Sequence, residues 1–239
     1  GTMAFGYSAV GGDSGGMDTK KMVAMAVLAV VAVLGFIIGW ERGEEGPSAA
    51  PVAPGGYLES VTNTIFPTVI KPNYDPTANY MILGAGPRIK KIGPIHVKVY
   101  AVGFYAEAKG ARKVLKPYHG KTPAQLAHSF NYHHTLKAGA FNKLIRIVMK
   151  RGVGRDAMVN ALAEALLPKV MLVEPLRAEE LVQKFEDLFT DSGFNDGDVI
   201  QLQQVGTSMH LSVNGDTRPA IKNEPLLCEA FFAIYTDPD

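Results

Sequence analysis

The residues of this sequence best suited to chemistry lie in the segment 95–105, IHVKVYAVGFY. Side chains alternate between the two faces of a strand, so one face carries His96, Lys98, Tyr100, Val102 and Phe104. The residues between them are apolar or glycine and are typical of an ordinary core. The first face is therefore polar at one end and apolar at the other, unlike the uniformly apolar face behind it.

An arginine faces this strand if the chain pairs with itself around the turn at IGP. Antiparallel pairing there opposes residues whose numbers sum to about 188, which brings Arg88 to Tyr100. An arginine buried in a cleft requires an anion, and a tyrosine hydroxyl adds a second donor. The structural alternative is a salt bridge from Arg88 to an acid such as Glu107, with Tyr100 an ordinary core tyrosine.

Two further features could do chemistry. The adjacent His133 and His134 could ligate a metal or haem, but neighbours on an extended segment point opposite ways, which favours a surface pair. Cys228 is the single cysteine, which excludes an intrachain disulfide and a thiolate-only metal cage. Its place in the apolar run LLCEAFFAIY predicts a buried, inert thiol. We therefore expect no metal site and no cofactor.

The charge balance excludes one class of partner. The chain of 239 residues has 24 basic and 23 acidic residues, a formal net charge of +1. Such a balance leaves no surplus of cations to replace the counterions of a nucleic acid. The length suits one domain of ordinary size with an appendage.

Residues 22–40, MVAMAVLAVVAVLGFIIGW, contain no charge. At about 1.5 Å per residue, a helix over this run is about 28 Å long, which predicts a single transmembrane helix. A signal peptide is the alternative, but the run is long for one and no small-residue cleavage site follows directly. Lys20 and Lys21 precede the run, so we expect the N-terminus on the negative side and the globular part across the membrane.

The composition divides the rest of the chain. Residues 1–21 form a Gly/Ser-rich tail, residues 41–56 a Pro/Gly/Ala linker, and residues 57–239 the globular domain. The linker spans at most about 50 Å, so the domain stays near the membrane. Gly35 and Gly39 suit close helix packing. We therefore expect the helix Met22–Trp40 and the tail to contact subunits of a membrane complex.

The domain is expected to have an α+β fold. Residues 80–83, 88–92 and 95–106 predict strands separated by turns at GAGP and GP, and the segments 156–171 and 176–189 predict amphipathic helices. A buried helix with Pro225 in its first turn closes the chain. Strands that precede helices and then return indicate an antiparallel sheet backed by helices.

The segment MILGAGPRIKKIGPIHVKVYAVGFYAEA resembles the signature of the chalcone-isomerase family: a glycine turn, an arginine and a strand V-K-V-Y-A-x-G-x-Y. The resemblance continues over about residues 60–236 through HGKTPAQL, FNKLIRIVM and RPAIKNEPLLCEAFFAIY. It implies an open-faced sandwich, in which helices cover an antiparallel sheet and enclose an apolar cleft. A fold of this kind does not by itself define an activity.

In plant isomerases of this family, an arginine and a threonine polarise the substrate ketone through a water, and a cleft tyrosine assists them. The resemblance places the arginine at Arg88 and puts Tyr100 in the threonine position. The cleft tyrosine has no counterpart, because the sequence has no tyrosine between Tyr132 and Tyr235.

Two further isomerase positions also differ. The family's cleft asparagine falls near Ala161, with Asn160 adjacent, and the threonine of the last helix falls at Ala233. Without the hydroxyl groups of the cleft tyrosine and the last-helix threonine, the stabilisation of an enolate is largely lost. We therefore expect a protein that is not an enzyme.

The pair Arg88 and Tyr100 instead resembles the non-catalytic, fatty-acid-binding branch of the family, in which these residue types hold a carboxylate at one end of an apolar cavity. The resemblance implies that the cleft is lined by Val102, Phe104, Met149, Met158 and Phe232. A cleft plugged by such side chains would count against lipid binding.

The expected function is that of a membrane-anchored accessory subunit of an organellar energy-converting complex, with a fatty acid or structural lipid in its cleft. Fungal relatives with a similar layout face the intermembrane space from the mitochondrial inner membrane, which favours that location. The thylakoid is second, because the fatty-acid-binding branch includes plastid proteins. The alternatives are a free-standing, membrane-tethered fatty-acid-binding protein, an active isomerase and, because fungal relatives have been linked to haem, a haem-binding protein.

Overall fold

The computed structural model describes residues 52–53, 56–92 and 94–237. The predicted tail 1–21, the predicted membrane helix 22–40 and nearly all of the linker 41–56 lie outside the described residues. Among the helices that are described, none combines the length and the apolar character needed to cross a bilayer.

Groups of strands alternate with groups of helices along the described chain. The strands are β1 (Val52–Ala53), β2 (Gly56–Glu59), β3 (Thr64–Phe66), β4 (Val69–Ile70), β5 (Tyr80–Ile92), β6 (Ile95–Glu107), β7 (Lys143–Met149), β8 (Val153–Gly154), β9 (Gly193–Phe194), β10 (Val199–Val205), β11 (Ser208–Val213) and β12 (Asp216–Thr217). The helices are α1 (Ala108–Leu115), α2 (Pro123–Ala127), α3 (Phe130–Ala138), α4 (Arg155–Val173), α5 (Ala178–Glu186) and α6 (Pro225–Thr236). Short 3-10 turns at Lys116–Tyr118 and Pro175–Arg177 connect some of them.

The main sheet is seven-stranded, in the order β12-β11-β10-β7-β6-β5-β4, and every pair in it is antiparallel. β1, β2 and β3 form a separate small sheet, and β8 pairs with β9. The observed helices agree with the two predicted amphipathic segments, although the second is shorter than predicted, and α6 begins at Pro225 as expected. The predicted antiparallel sheet with a helical layer is confirmed.

The prediction of a turn at GAGP is wrong. β5 runs through this segment without interruption, and Gly84, Ala85, Gly86 and Pro87 each pair with a residue of β6. β4 pairs with β5 only at its start, so Pro87 lies where β5 has no neighbour on its other side. A proline without an N–H group is tolerated in a strand at such an edge.

The sheet packs on both faces. Its larger hydrophobic cluster lies against the helices and includes Tyr100, Val102 and Phe104 of β6. The residues between them face a smaller cluster, in which Ala101 and Tyr105 pack with Phe66 of the small sheet. A Cβ atom on Gly103 would approach the Phe66 ring to 2.8 Å, so glycine is required for this close contact. The predicted alternation of β6 is confirmed from Tyr100 to Phe104. The prediction that His96 and Lys98 share this face is wrong, because the register shifts by one residue at Val99 and Lys98 then opposes Ile89 rather than Arg88.

Helix α6 lies across the helix-facing side of β6. The rings of Phe232 and Phe104 meet edge to face, with centroids 5.7 Å apart. The end of α6 is held by Asp237, whose carboxylate forms ion pairs with Lys137 of α3 (2.8 Å) and Lys169 of α4 (2.9 Å). This arrangement fixes which residues of α6 can meet the strand that carries Tyr100.

Candidate functional site

Arg88 of β5 lies directly opposite Tyr100 of β6 in the antiparallel register, as the sequence predicts. Directly opposed residues of an antiparallel pair share one face of the sheet, so both side chains belong to the helix-facing side. The register shifts immediately after Arg88, between Arg88 and Ile89. The shift leaves Val99 as an extra residue of β6, because Ile89 opposes Lys98 while Arg88 opposes Tyr100. The bulge, and not the turn alone, therefore brings Arg88 to Tyr100.

The Arg88 guanidinium makes no ion pair or hydrogen bond with any residue that the structure describes, although the side chain is half-buried. Glu107, the acid considered as its partner, pairs in register with Tyr80 at the far end of β5. The Glu107 carboxylate instead accepts hydrogen bonds from the backbone N–H groups of Lys109 and Gly110 at the start of α1. The salt bridge to Glu107 is therefore not formed.

A third polar group, which the sequence did not indicate, completes the arrangement. Tyr235 of α6 is 8% exposed, and its buried hydroxyl lies close to the Tyr100 hydroxyl without forming a hydrogen bond of full geometry with it or with another described residue. Tyr100 and Arg88 are its polar neighbours. The available signal was its spacing, because Tyr235 follows Phe232 by three residues and so lies on the same face of the helix.

Both phenols stay protonated at neutral pH. Burial raises the pKa of Tyr100, an effect that the nearby Arg88 charge and the Tyr235 hydroxyl oppose only in part. Burial also raises the pKa of Tyr235, well above its ordinary value. The arrangement therefore combines one cation with two neutral hydroxyl donors, which suits the binding of a single negative charge.

The side chains predicted to line the apolar part of the cleft lie together in the larger hydrophobic cluster. Val102, Phe104, Met149, Met158 and Phe232 are between 0% and 8% exposed. A void large enough for a water molecule would expose the side chains around it. The low exposure of these side chains therefore shows that little empty space adjoins them. This part of the interface between sheet and helices is packed, and a groove of about 440 Å³ lies elsewhere, beside Met81 and Arg112.

The histidine pair differs from its prediction. Ser129 caps α3 by accepting a hydrogen bond from the Tyr132 N–H, so the segment is helical rather than extended. His133 is buried and its Nε2 lies 3.0 Å from the Ala127 carbonyl oxygen, while the exposed His134 stacks on Phe130. The described residues contain no group of three or more histidines, cysteines and acids placed to hold a metal.

The single cysteine is buried and unpaired, as predicted. Burial raises the pKa of the Cys228 thiol to about 12, although the nearby Lys143 charge lowers it. A thiol of this kind is neutral at physiological pH and is a poor nucleophile.

The residues that the resemblance places at the remaining isomerase positions lie in different environments. Asn160 and Ala161 are both exposed on the outer side of α4, so neither side chain reaches the region between sheet and helices. Ala233 is 4% exposed within α6 and carries no hydroxyl.

In this fold, helices cover one side of an antiparallel sheet. One end of the interface between sheet and helices carries a cation and two phenols. The family model for chalcone–flavanone isomerase matches residues 61–229, and the chain belongs to that family. This confirms the resemblance inferred from the sequence.

Individual relatives agree with this membership. The chain is 29% identical over 181 residues to chalcone–flavanone isomerase 1B-1 of Glycine max, covering 70% of this chain and 80% of the relative. It is 28% identical over 176 residues to a chalcone–flavanone isomerase of Ipomoea batatas, covering 70% and 72%. Among solved structures, a fatty-acid binding protein of Arabidopsis thaliana has the same fold, with a TM-score of 0.63 and 21% identity over 74% of this chain and 87% of that one.

Proposed function

We propose that this chain is a non-catalytic member of the family that binds a fatty acid or another carboxylate lipid between its sheet and its helices. The observation that carries the proposal is the half-buried Arg88 guanidinium, which has no anionic partner among the described residues and lies beside the phenols of Tyr100 and Tyr235. A partly desolvated cation without a partner costs free energy, and a carboxylate ligand offsets that cost with charge-assisted hydrogen bonds. The fatty-acid-binding neighbour in Arabidopsis thaliana supports the same choice of ligand.

The apolar body of the ligand would lie along Val102 and Phe104, toward the two methionines. Met149 and Met158 occupy this region now and are almost completely buried. Methionine is unbranched and adapts to irregular spaces, so these two side chains are the ones that can move aside for an acyl chain. The packing of this region counts against binding to the structure as it stands. Binding therefore requires local repacking, in which the ligand displaces side-chain contacts.

The test is to identify what the native protein carries. Lipids are extracted from the purified full chain and from the Arg88→Leu variant prepared in the same way, and both extracts are analysed by mass spectrometry. We expect fatty acids in stoichiometric amounts with the wild type and a loss of at least tenfold with the variant. Equal traces in both preparations would contradict the proposal and indicate a filled interface with no ligand.

A second candidate function is isomerase activity, because the similar proteins of Glycine max and Ipomoea batatas are named isomerases. Against it, the resemblance puts Tyr100 in the threonine position and Ala233 at the last-helix threonine, and Asn160 is exposed on the outer side of α4. The purified chain is incubated with a chalcone, and formation of flavanone is followed. Turnover well above the spontaneous rate that disappears in Arg88→Ala would establish an isomerase and overturn the non-catalytic assignment.

The proposed setting is an accessory subunit of an organellar energy-converting complex, in the mitochondrial inner membrane with the globular domain in the intermembrane space. The thylakoid is the alternative location. Support comes from the uncharged run 22–40 and from the short linker, which keeps the domain within about 50 Å of a membrane. A mobile lipid carrier gains little from such a tether, whereas a subunit gains a fixed position.

Native electrophoresis of mildly solubilised membranes tests this setting. Co-migration with a respiratory or photosynthetic complex is the expected result. Migration as a free species of about the chain mass of 25.7 kDa plus detergent would instead favour a free-standing, membrane-tethered binding protein.

A further inference from the structure

We propose that Tyr235, one turn beyond Phe232 on α6, is the third donor of the carboxylate site, so that the last helix of the fold takes part in head-group recognition. This inference rests on the proposed function. It adds a residue that lies far from Arg88 and Tyr100 in the sequence, on an element that the strand pairing does not position.

The first support is the state of the Tyr235 hydroxyl. It is buried, and its contact with the Tyr100 hydroxyl lacks the geometry of a full hydrogen bond, so it has no satisfied partner among the described residues. Most buried polar side-chain atoms in folded proteins have a partner, so an exception requires an explanation. The polar groups around it are the Tyr100 hydroxyl and the Arg88 guanidinium, which both attract an anion.

The second support is how Tyr235 is held. The edge-to-face contact of Phe232 with Phe104 places α6 on β6, and the Asp237 ion pairs to α3 and α4 fix the end of the helix. The Tyr235 ring also packs edge to face on Phe231, with centroids 5.6 Å apart. The ring is thus positioned by packing and by neighbouring charges, while its hydroxyl remains available to a ligand.

The third support is the match in donors. A carboxylate offers about four acceptor sites on its two oxygens. The planar Arg88 fork can donate to both oxygens, and the two phenols can donate once to each. One positive charge opposes one negative charge, so the arrangement favours a carboxylate over an alcohol head group of the same chain length.

The experiment compares two probes on the full chain, purified in an amphipathic polymer: dodecanoic acid and dodecanol. Tyr235→Phe should weaken the acid about tenfold, because a hydrogen bond to a charged group is lost. It should leave dodecanol binding unchanged. The matched control is Tyr132→Phe. The Tyr132 hydroxyl is also buried and unpartnered among the described residues, but its ring packs on Tyr118 and His133 rather than beside Tyr100. That control should bind both probes as the wild type does.

A second readout distinguishes recognition from a purely structural role. The carboxyl signal of bound [1-¹³C]dodecanoic acid reports its protonation, and Tyr235→Phe should raise the apparent pKa of the bound acid because a donor to the carboxylate is gone. Equal weakening of acid and alcohol in Tyr235→Phe would show a structural role and overturn the inference.

The outcomes distinguish a failure of the proposed function from a failure of the Tyr235 assignment alone. If the wild type binds neither probe, the proposed function fails and the Tyr235 assignment fails with it. If the wild type binds the acid and Arg88→Leu abolishes binding, but Tyr235→Phe binds normally, the proposed function stands and the Tyr235 assignment alone is wrong.

Discussion

Two cations on the helix-facing side of the sheet, Lys143 and Arg88, have opposite surroundings. Lys143 begins β7 and is fully buried, and its Nζ donates to the Gly139 carbonyl (2.9 Å), the Phe141 carbonyl (3.2 Å) and the Gln204 Oε1 (3.2 Å). Arg88 is only half-buried, yet it has no such partner among the described residues. The more deeply buried cation is therefore the better satisfied one.

Helix α6 joins these two regions. Cys228 near its start lies close to Lys143, and Tyr235 near its end lies close to Arg88. The donors of Lys143 are occupied by the protein itself, so this lysine stabilises the turn before β7. The donors of Arg88 and the hydroxyl of Tyr235 are not occupied in this way. The difference teaches that burial alone does not mark a binding residue, and that a cation whose donors are free beside a second free donor is the better candidate.

The largest effect is expected for Lys143→Met. The substitution leaves the Gly139 and Phe141 carbonyls and the Gln204 amide oxygen without their donor, and we expect the free energy of unfolding to fall by about 3 kcal/mol. Denaturant titration of the full chain measures it, with Lys113→Met, an exposed lysine of α1, as the control that should change little. A loss below about 1 kcal/mol would show that Lys143 is no more satisfied than Arg88.

The same lysine should impose a pH dependence. Burial lowers the pKa of Lys143 to about 8, although the nearby Cys228 and Glu229 raise it. Between pH 8 and about 10.4, the ordinary lysine value, the unfolded chain keeps a proton that the folded chain has lost, so stability rises with pH. Below pH 8 this contribution is constant.

The measurement is the difference in stability between wild type and Lys143→Met across that range. We expect the difference to grow by about 2 kcal/mol from pH 8 to pH 10. Both chains carry Cys228→Ala, because the raised pKa of this thiol gives the opposite slope. A flat difference would mean that Lys143 is not desolvated as its burial indicates.

Asp237→Asn tests the ion pairs that hold the Arg88 end of α6. Burial raises the pKa of Asp237, but Lys137 and Lys169 lower it more, so it lies below its ordinary value. The ion pairs should contribute about 1 kcal/mol near pH 7, which is lost as the pH falls through the ordinary aspartate value toward the lower folded value. Wild type and variant melts should therefore converge in acid.

The matched control for this prediction is Asp156→Asn. Asp156 also forms an ion pair, with Arg155, but its side chain is 83% exposed, so the change in stability should be within about 0.5 kcal/mol. If both asparagine variants behaved alike, the end of α6 would not depend on the Asp237 contacts.

The smallest effect on stability is expected for Arg88→Leu. Since the guanidinium makes no described polar contact, its removal should change the free energy of unfolding by no more than about 0.5 kcal/mol in the ligand-free protein. Binding of dodecanoic acid should nevertheless be lost. A destabilisation of about 2 kcal/mol or more would remove the contrast with Lys143 and make Arg88 a structural cation.

The pairing of β5 with β6 was predictable, but its exact register was not. The turn opposes residues whose numbers sum to 187, and Arg88 meets Tyr100 only because a bulge at Val99 shifts the register by one residue. The GAGP segment forms part of a strand, despite the local preference of glycine and proline for turns. Pairing with β6 along its whole length overrode that preference, and the free edge of β5 accepted Pro87. The helical conformation of His133 was missed because the Ser129 cap was not recognised.

The sequence by itself determined the antiparallel sheet, the pairing of β5 with β6, the alternation of β6 from Tyr100 onward and membership in the family. These features follow from alternation and turn closure, which act between residues close along the chain or across one hairpin. Only the tertiary structure decided that Lys143 is satisfied, that Arg88 is not, and that Tyr235 lies beside it. Those outcomes depend on how α6 packs on the sheet and is held by α3 and α4. Hydrogen-bond satisfaction is a property of distant elements brought together, so no local pattern specifies it.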